Sequence, residues 1–221
     1  MRIEKYVHSC LLLTLDGTRL LFDPGKFCFV DHRVDPHRFT QLDGIVLTHG
    51  HPDHLDPEAL AIIVKKTGAP LFGNDQIAGK LEGTGLSVTV VDDADFSVGA
   101  FRLKPLPVNH APILSDQIPK VTAYLVNDHF LNPGDSFDRS MDRFKGVETL
   151  ALPVMAPFLT EIDAMAFAQR MKPQHVIPVH DGYARDYFLK QRYDTYQPFM
   201  QRAGITFHRL EEVGQGITLH G

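Results

Sequence analysis

The sequence predicts an α/β fold of four layers, an αββα sandwich of two mixed, mostly antiparallel sheets packed face to face with helices on both outer faces. Strand-like apolar runs bounded by turns alternate with amphipathic helical stretches along the chain, and the layout of the first half, hairpins plus helices, recurs in the second. The 221 residues are 43% hydrophobic and hold no low-complexity tract and no Gly/Pro/Ser-rich linker, so residues 1–221 read as a single domain with a large buried core. The alternation alone would also fit one doubly wound sheet.

The elements follow in order. Met1-Arg2-Ile3-Glu4-Lys5 runs straight into strand-like sequence, with no charged-then-apolar leader. Residues 9–15 and 18–22 flank Asp16-Gly17 and form a hairpin that ends in the sharp turn Asp23-Pro24-Gly25. A loop to about residue 42 precedes the strand Gly44-Ile45-Val46-Leu47-Thr48. Asp56-Pro57-Glu58 starts a helix over 57–66, with Asp56 as N-cap, Pro57 in the first turn, and Leu60, Ile63 and Val64 on one face. Pro70–Gly73 is a short strand, and Asn74 caps a second short helix. Residues 88–91 and 96–108 are strand-rich, and 122–126 pairs with 129–131 across Asn127-Asp128. The last third gives a strand at 149–153, a helix at 161–171 opened by a Thr160/Asp163 capping box, and a strand at 175–179. A helical stretch over 184–203 should break before Pro198, and strands at 205–210 and 216–219 close the chain.

Charge and composition exclude several functions. A net charge of −5 offers no basic face for nucleic acid. No apolar run approaches the roughly 20 residues needed to span a bilayer. Cys10 and Cys28 both sit in apolar surroundings and read as buried free thiols rather than a disulfide. The expectation is a cytoplasmic protein acting on a small molecule, without membrane or nucleic-acid partners; self-association into dimers or larger assemblies is compatible with an enzyme of this shape.

The chemistry is concentrated in Thr48-His49-Gly50-His51-Pro52-Asp53-His54. Four metal-capable side chains stand at i, i+2, i+4 and i+5, a spacing that no single helical face can present together. An extended loop sends i and i+2 to one side and i+4 and i+5 toward a neighbouring point, which suits two adjacent metal ions. The cluster also lies between a buried strand and a capped helix, where α/β proteins place active sites. A His-rich surface turn is the bland alternative in a chain with 12 histidines. Two ions need further ligands. His110 after Leu106–Asn109, Asp135 in Asn132-Pro133-Gly134-Asp135-Ser136, and His180 after Val176–Val179 each stand just past a strand, and strand C-termini converge at one sheet edge.

With these residues in order, the chain resembles the metallo-β-lactamase-fold hydrolases over nearly its whole length. Val7-His8-Ser9-Cys10, Leu47–Leu55 and Pro178-Val179-His180 look most like the compact branch that includes L-ascorbate-6-phosphate lactonase. The resemblance implies that His49, His51 and His110 hold one ion, that Asp53, His54 and His180 hold a second, and that Asp135 bridges them. It implies that Asp23 orients the loop's ligands without binding metal. The chain departs from the family around Asp135, where an aromatic or His-Ala more often precedes Gly-Asp and Thr follows. His8 has two open readings, a pocket residue or a core histidine. His32, His37, His129, His175, His208 and His220 carry no spacing argument and read as surface or structural.

The function implied is hydrolysis by a metal-bridging hydroxide, with Asp53 and Asp135 as the catalytic carboxylates and no covalent enzyme intermediate, since no Ser-His-Asp or Cys-His pattern competes. Zinc, manganese and iron(II) all suit an N/O donor set. Lys26, Arg33, Lys120 and Arg185 fall in or near loops that could rim the site and favour an anionic ester, lactone or phosphoester. A phosphodiesterase or nuclease of the same fold, a glyoxalase-type thioesterase, and a metal-binding protein without turnover are the alternatives.

Overall fold

The fold is that of a computed structural model, which describes residues 1–219. Sheet one runs β1 (Arg2–Lys5), β2 (Leu11–Leu15), β3 (Thr18–Phe22), β4 (Gly44–Val46), β5 (Leu71–Gly73) and β6 (Val88–Val90), with β14 (Gln215–Thr218) on the outer edge of β1. Sheet two runs β7 (Phe96–Val98), β8 (Phe101–Asn109), β9 (Lys120–Val126), β10 (Phe130–Asn132), β11 (Thr149–Pro153) and β12 (His175–Val179), ending at β13 (Thr206–Phe207). Two separate sheets exclude the doubly wound alternative. Each has three antiparallel pairings followed by three parallel ones, a more even division than the mostly antiparallel sheets expected.

The central strands are apolar on both faces because both faces are covered. In β2 and β3, Leu11, Leu13, Leu20 and Phe22 point between the sheets, where they meet Ile177 and Val179 of β12. Leu12 and Leu21 point the other way, into a layer with Leu60 and Ile63 of α2 (Pro57–Thr67) and Ile77 of α3 (Asp75–Lys80). The same alternation in sheet two sends Ala151 inward and Leu150 and Leu152 outward, against Phe167 of α4 (Glu161–Met171) and Tyr193, Tyr196 and Met200 of α5 (Asp186–Arg202). Because strands apolar on both sides cannot fix their own register, the turn must do so. Asp16 (φ 47°) and Gly17 (φ 82°) are both left-handed and pin Leu15 opposite Thr18.

Local capping matches the sequence expectations. Asp56 accepts from the Glu58 and Ala59 amides, Asn74 from Ile77, and Thr160 and Asp163 complete a capping box. Three expectations are corrected. Residues 26–38 are not a plain loop; they contain α1 (Lys26–Phe29) and two 3₁₀ turns. The strand expected at 205–210 shrinks to Thr206–Phe207. The helix expected to break before Pro198 continues through it to Arg202. Pro198 and Asp194, whose carbonyl loses its helical donor, are both exposed, so that group faces solvent while Tyr193, Tyr196 and Met200 keep the buried face continuous. Among the described residues, no helix is long and apolar enough to cross a membrane. Cys10 and Cys28 are buried and free, as expected. His220 lies outside the described residues.

Candidate metal centre

Strand direction gathers the site. β1, β3 and β4 run one way in sheet one, and β8, β10 and β12 run one way in sheet two. Their C-terminal ends deliver His8, Asp23, the His49–His54 loop, His110, Asp135 and His180. All nine site residues singled out in the sequence come together here. Two quartets form, His49/His51/His110/Asp135 and His8/Asp53/His54/His180, and within each the potential ligand atoms lie within 4.8 Å of one another. The structure therefore places His8 in the pocket cluster, which the sequence left open.

Asp23 organises the loop from beneath. It is fully buried, and its carboxylate accepts the Thr48 amide (2.8 Å), the Thr48 hydroxyl (2.7 Å) and the His54 Nδ1–H (2.9 Å). The parallel register Phe22↔Val46 puts Asp23 and Thr48 side by side just past their strands. With its proton given to Asp23, the Thr48 hydroxyl is left to accept from His49 Nδ1 at 3.1 Å. His110 and His180 donate their Nδ1–H to the carbonyls of Ala111 (2.5 Å) and Met155 (2.6 Å). Four imidazoles thus have Nδ1 engaged and Nε2 turned toward the two carboxylates.

Those inward atoms are unsatisfied. His49, His54 and His110 Nε2 and Asp135 Oδ1 are buried without a hydrogen-bond partner. His54 Nε2 comes within 3.2 Å of Asp135 Oδ1, but it is not aligned to donate to it. Buried polar atoms left unpaired are costly, and three imidazole nitrogens converging on one carboxylate, itself with an unpaired oxygen, fit divalent cations. Imidazole nitrogen and carboxylate oxygen are the donors such ions take, and the fixed outer nitrogen is the partner that ligating histidines need.

Protonation follows the same geometry. Burial alone would raise the Asp135 carboxyl, but the imidazoles of His180, His54 and His49 outweigh it and hold it well below the usual carboxylate range. Burial would lower His180, yet Asp135 and Asp53 lift it to about 9. His54 is lifted in the same sense, against its burial, by Asp135 and Asp23. Burial and the neighbouring His49 and His110 push His51 down to about 4.

His8 has a distinct role in the second quartet. Its Nδ1 accepts the Gly182 backbone N–H at 3.0 Å, which requires the proton on Nε2, and that Nε2–H donates to Asp53 Oδ2 at 3.0 Å. Burial, with the charge of His180 beside it, pushes His8 down to about 3, so it is a neutral donor and has no lone pair facing the centre. Tyr183 donates its hydroxyl to the same oxygen at 3.0 Å. Sequence reasoning missed Tyr183; its only cue is its place three residues after His180. It also missed Phe158, packed against His110 and His180 (ring centroids 5.3 and 5.5 Å), and Phe27, 4.9 Å from the Tyr183 ring. The four basic residues expected at the rim are exposed, but Lys120 is paired with Asp75 (2.8 Å) and Arg33 reaches the Gly182 carbonyl at 3.4 Å. His32 and His37 are exposed, His129 pairs with Glu148, and His175 with His208, all apart from the two quartets.

Residues 2–180, a span that holds every one of the nine site residues, match the family model described as a beta-lactamase superfamily domain. The chain belongs to the beta-lactamase superfamily. It is 30% identical over 190 residues to the protein Rv0786c of Mycobacterium tuberculosis, covering 82% of this chain and 84% of that one. It is 41% identical over 72 residues to a UPF0173 metal-dependent hydrolase of Desulfitobacterium hafniense, covering 33% of this chain and 30% of that protein. The fold matches a crystal structure described as a putative metal-dependent hydrolase from Parabacteroides distasonis with a TM-score of 0.75, at 22% identity over 93% of this chain and 90% of that one.

Proposed function

We propose that this metal-dependent hydrolase of the beta-lactamase superfamily holds two divalent ions and cleaves a small ester, lactone or phosphoester. His49, His51 and His110 would hold one ion, Asp53, His54 and His180 the other, with Asp135 reaching both. The observation that carries this reading is the convergence of buried, unpartnered Nε2 atoms on Asp135 while every corresponding Nδ1 is tied down. Zinc, manganese and iron(II) all suit these donors. When bound, such ions supply a water whose pKa falls from 15.7 to about 7 and polarise the electrophile.

The chain's own residues do the rest. Asp53, fixed by His8 and Tyr183, stays ionised: burial opposes this, but hydrogen bonds from His180 and His8 win. It is therefore placed to accept a hydrogen bond from an attacking water and so orient it. Phe158 packs against His110 and His180, and Phe27 against His8 and Tyr183, so aromatic rings border both quartets. A cavity of about 460 Å³ adjoins the first quartet, bounded by His110, Asn74, Asn109, Thr122 and Lys120. Its size fits a small metabolite, and its charge is balanced, since Asp92 also lines it and Lys120 is paired with Asp75.

Elemental analysis of protein purified without added metal, followed by a panel of lactones, phosphodiesters and thioesters, tests the proposal. Two ions per chain and turnover of a small lactone or phosphoester are expected. Two bound ions with no turnover of any member would favour a metal-binding role instead. Asp135→Ala should abolish turnover and release an ion; full activity in that variant would overturn the bridging role.

A further inference from the structure

A second polar cluster lies beneath the metal centre, and the chemistry above does not use it. Lys5, Asp181 and Tyr193 are 3%, 4% and 0% exposed. The Lys5 ammonium donates to Asp181 Oδ2 and, at 3.0 Å, to the Tyr193 oxygen, while the Tyr193 hydroxyl donates to that same Asp181 oxygen. The three come from three layers: the end of β1 in sheet one, the residue after His180 in sheet two, and the middle of α5 outside.

A buried ion pair of this kind is weak evidence for stability, since its desolvation cost rivals its attraction. Its position is more telling. Asp181 is bonded to His180, and Lys5 stands three residues before His8. His180 donates its backbone N–H to the His8 carbonyl (3.3 Å), and both histidines have left-handed backbones, φ 63° for His8 and φ 64° for His180. L-residues with side chains avoid that region, so neighbouring contacts must hold both residues there. The triad is a buried polar contact adjoining both, beside the bonds of His8 to Gly182 and Asp53 and of His180 to Met155.

We propose that Lys5, Asp181 and Tyr193 are positioning residues for the second half of the metal centre. By clamping the end of β1 to the residue after His180, they aim His180 Nε2 at Asp53 and Asp135 and set His8 behind Asp53. This role rests on the two-ion reading above.

The test compares the parent with the triple variant K5M/D181L/Y193F, which replaces the whole network with apolar groups. Thermal unfolding of the metal-free proteins and the rate at which a chelator strips each ion are measured. An apolar replacement of a buried ion pair is often neutral or stabilising, so the metal-free Tm should stay near the parental one. One of the two ions should bind about 10–100-fold more weakly, as when other groups that orient ligands are removed. Parental retention of both ions, or equal weakening of both, overturns the proposal. Should the triple variant fail to fold, Tyr193→Phe, which keeps the ion pair, serves instead: a several-fold faster loss of one ion supports the role, and unchanged loss of both overturns it. A parent that takes up no second ion refutes the two-ion reading as well, which distinguishes that failure from a failure of the triad alone.

Discussion

His8 Nε2 lies 3.0 Å from Asp53 Oδ2, and because the Gly182 amide occupies His8 Nδ1, the hydrogen on that contact belongs to His8. On the proposed two-ion reading, a histidine locked in this tautomer would support the ligand Asp53 without being a ligand itself. His8→Ala should therefore keep two ions per chain yet lose about 10–100-fold in turnover or metal affinity, the range typical of lost partners to ligating groups. His8→Gln, which can still donate, should recover part of it. Elemental analysis beside kcat and KM decides the matter; a drop to one ion per chain in His8→Ala would make His8 a ligand.

Asp23 gives a second prediction. Its Oδ1 accepts the Thr48 amide and its Oδ2 both the Thr48 hydroxyl and His54 Nδ1–H, so Asp23→Asn, keeping its carbonyl on the amide, would turn an N–H₂ toward those two. His54 must then rotate or change tautomer, which takes its Nε2 lone pair from the centre. The variant should remain folded, weakened by about 1–3 kcal/mol for the mismatched buried groups, and should lose at least one ion to a chelator roughly 10-fold faster. Urea unfolding and chelator competition measure the two effects separately.

These contacts mark the limit of what the sequence discloses. The cluster from His49 to His54 is legible because its spacing is local, and His110, Asp135 and His180 because each follows an apolar strand that must end at the same sheet edge. The four layers are legible for a similar reason, since strands apolar on both faces need cover on both. Tyr183 lies 130 positions from Asp53, and Tyr193 lies 188 from Lys5, so no periodicity could pair them. Nor could a local rule foresee that packing by Tyr193, Tyr196 and Met200 would carry α5 through Pro198.

Gly25 tests how tightly the motif is held. A methyl group added there would sit 1.9 Å from the Asp53 carbonyl oxygen and 2.4 Å from the His54 nitrogen, both backbone atoms that cannot swing away. The Lys26 amide donates to the Pro52 carbonyl at 2.8 Å, so the two turns are already joined. Gly25→Ala should cost about 3 kcal/mol or more by overpacking and displace Asp53 and His54 together. Low soluble yield, or a folded protein that holds the first ion but not the second, is the expected result. Unchanged stability with both ions bound would contradict it.

The histidines also set how the metal-free protein responds to pH. A free histidine titrates near 6.5. His180, raised to about 9, binds its proton more tightly in the fold than in the unfolded chain. The stability it contributes is fully present below about pH 6.5 and is lost as pH rises through about 9. His54 is shifted the same way. His8 and His51, lowered to about 3 and about 4, act in the opposite sense and weaken the fold as pH falls below about 6.5. Stripped of metal, the protein should therefore be most stable near pH 6.5 and lose on the order of 2–3 kcal/mol toward pH 9. On the proposed two-ion reading, ions on His54 and His180 would replace those protons, so the loaded protein should show little change over the same range, and uptake of metal at pH 7.5 should release protons. Tm measured from pH 6 to 9 with and without a chelator checks the first point, and calorimetry in buffers of different ionisation enthalpy checks the second. A metal-free Tm that rises from pH 6.5 to 9 would show that Asp135 does not hold the His180 proton.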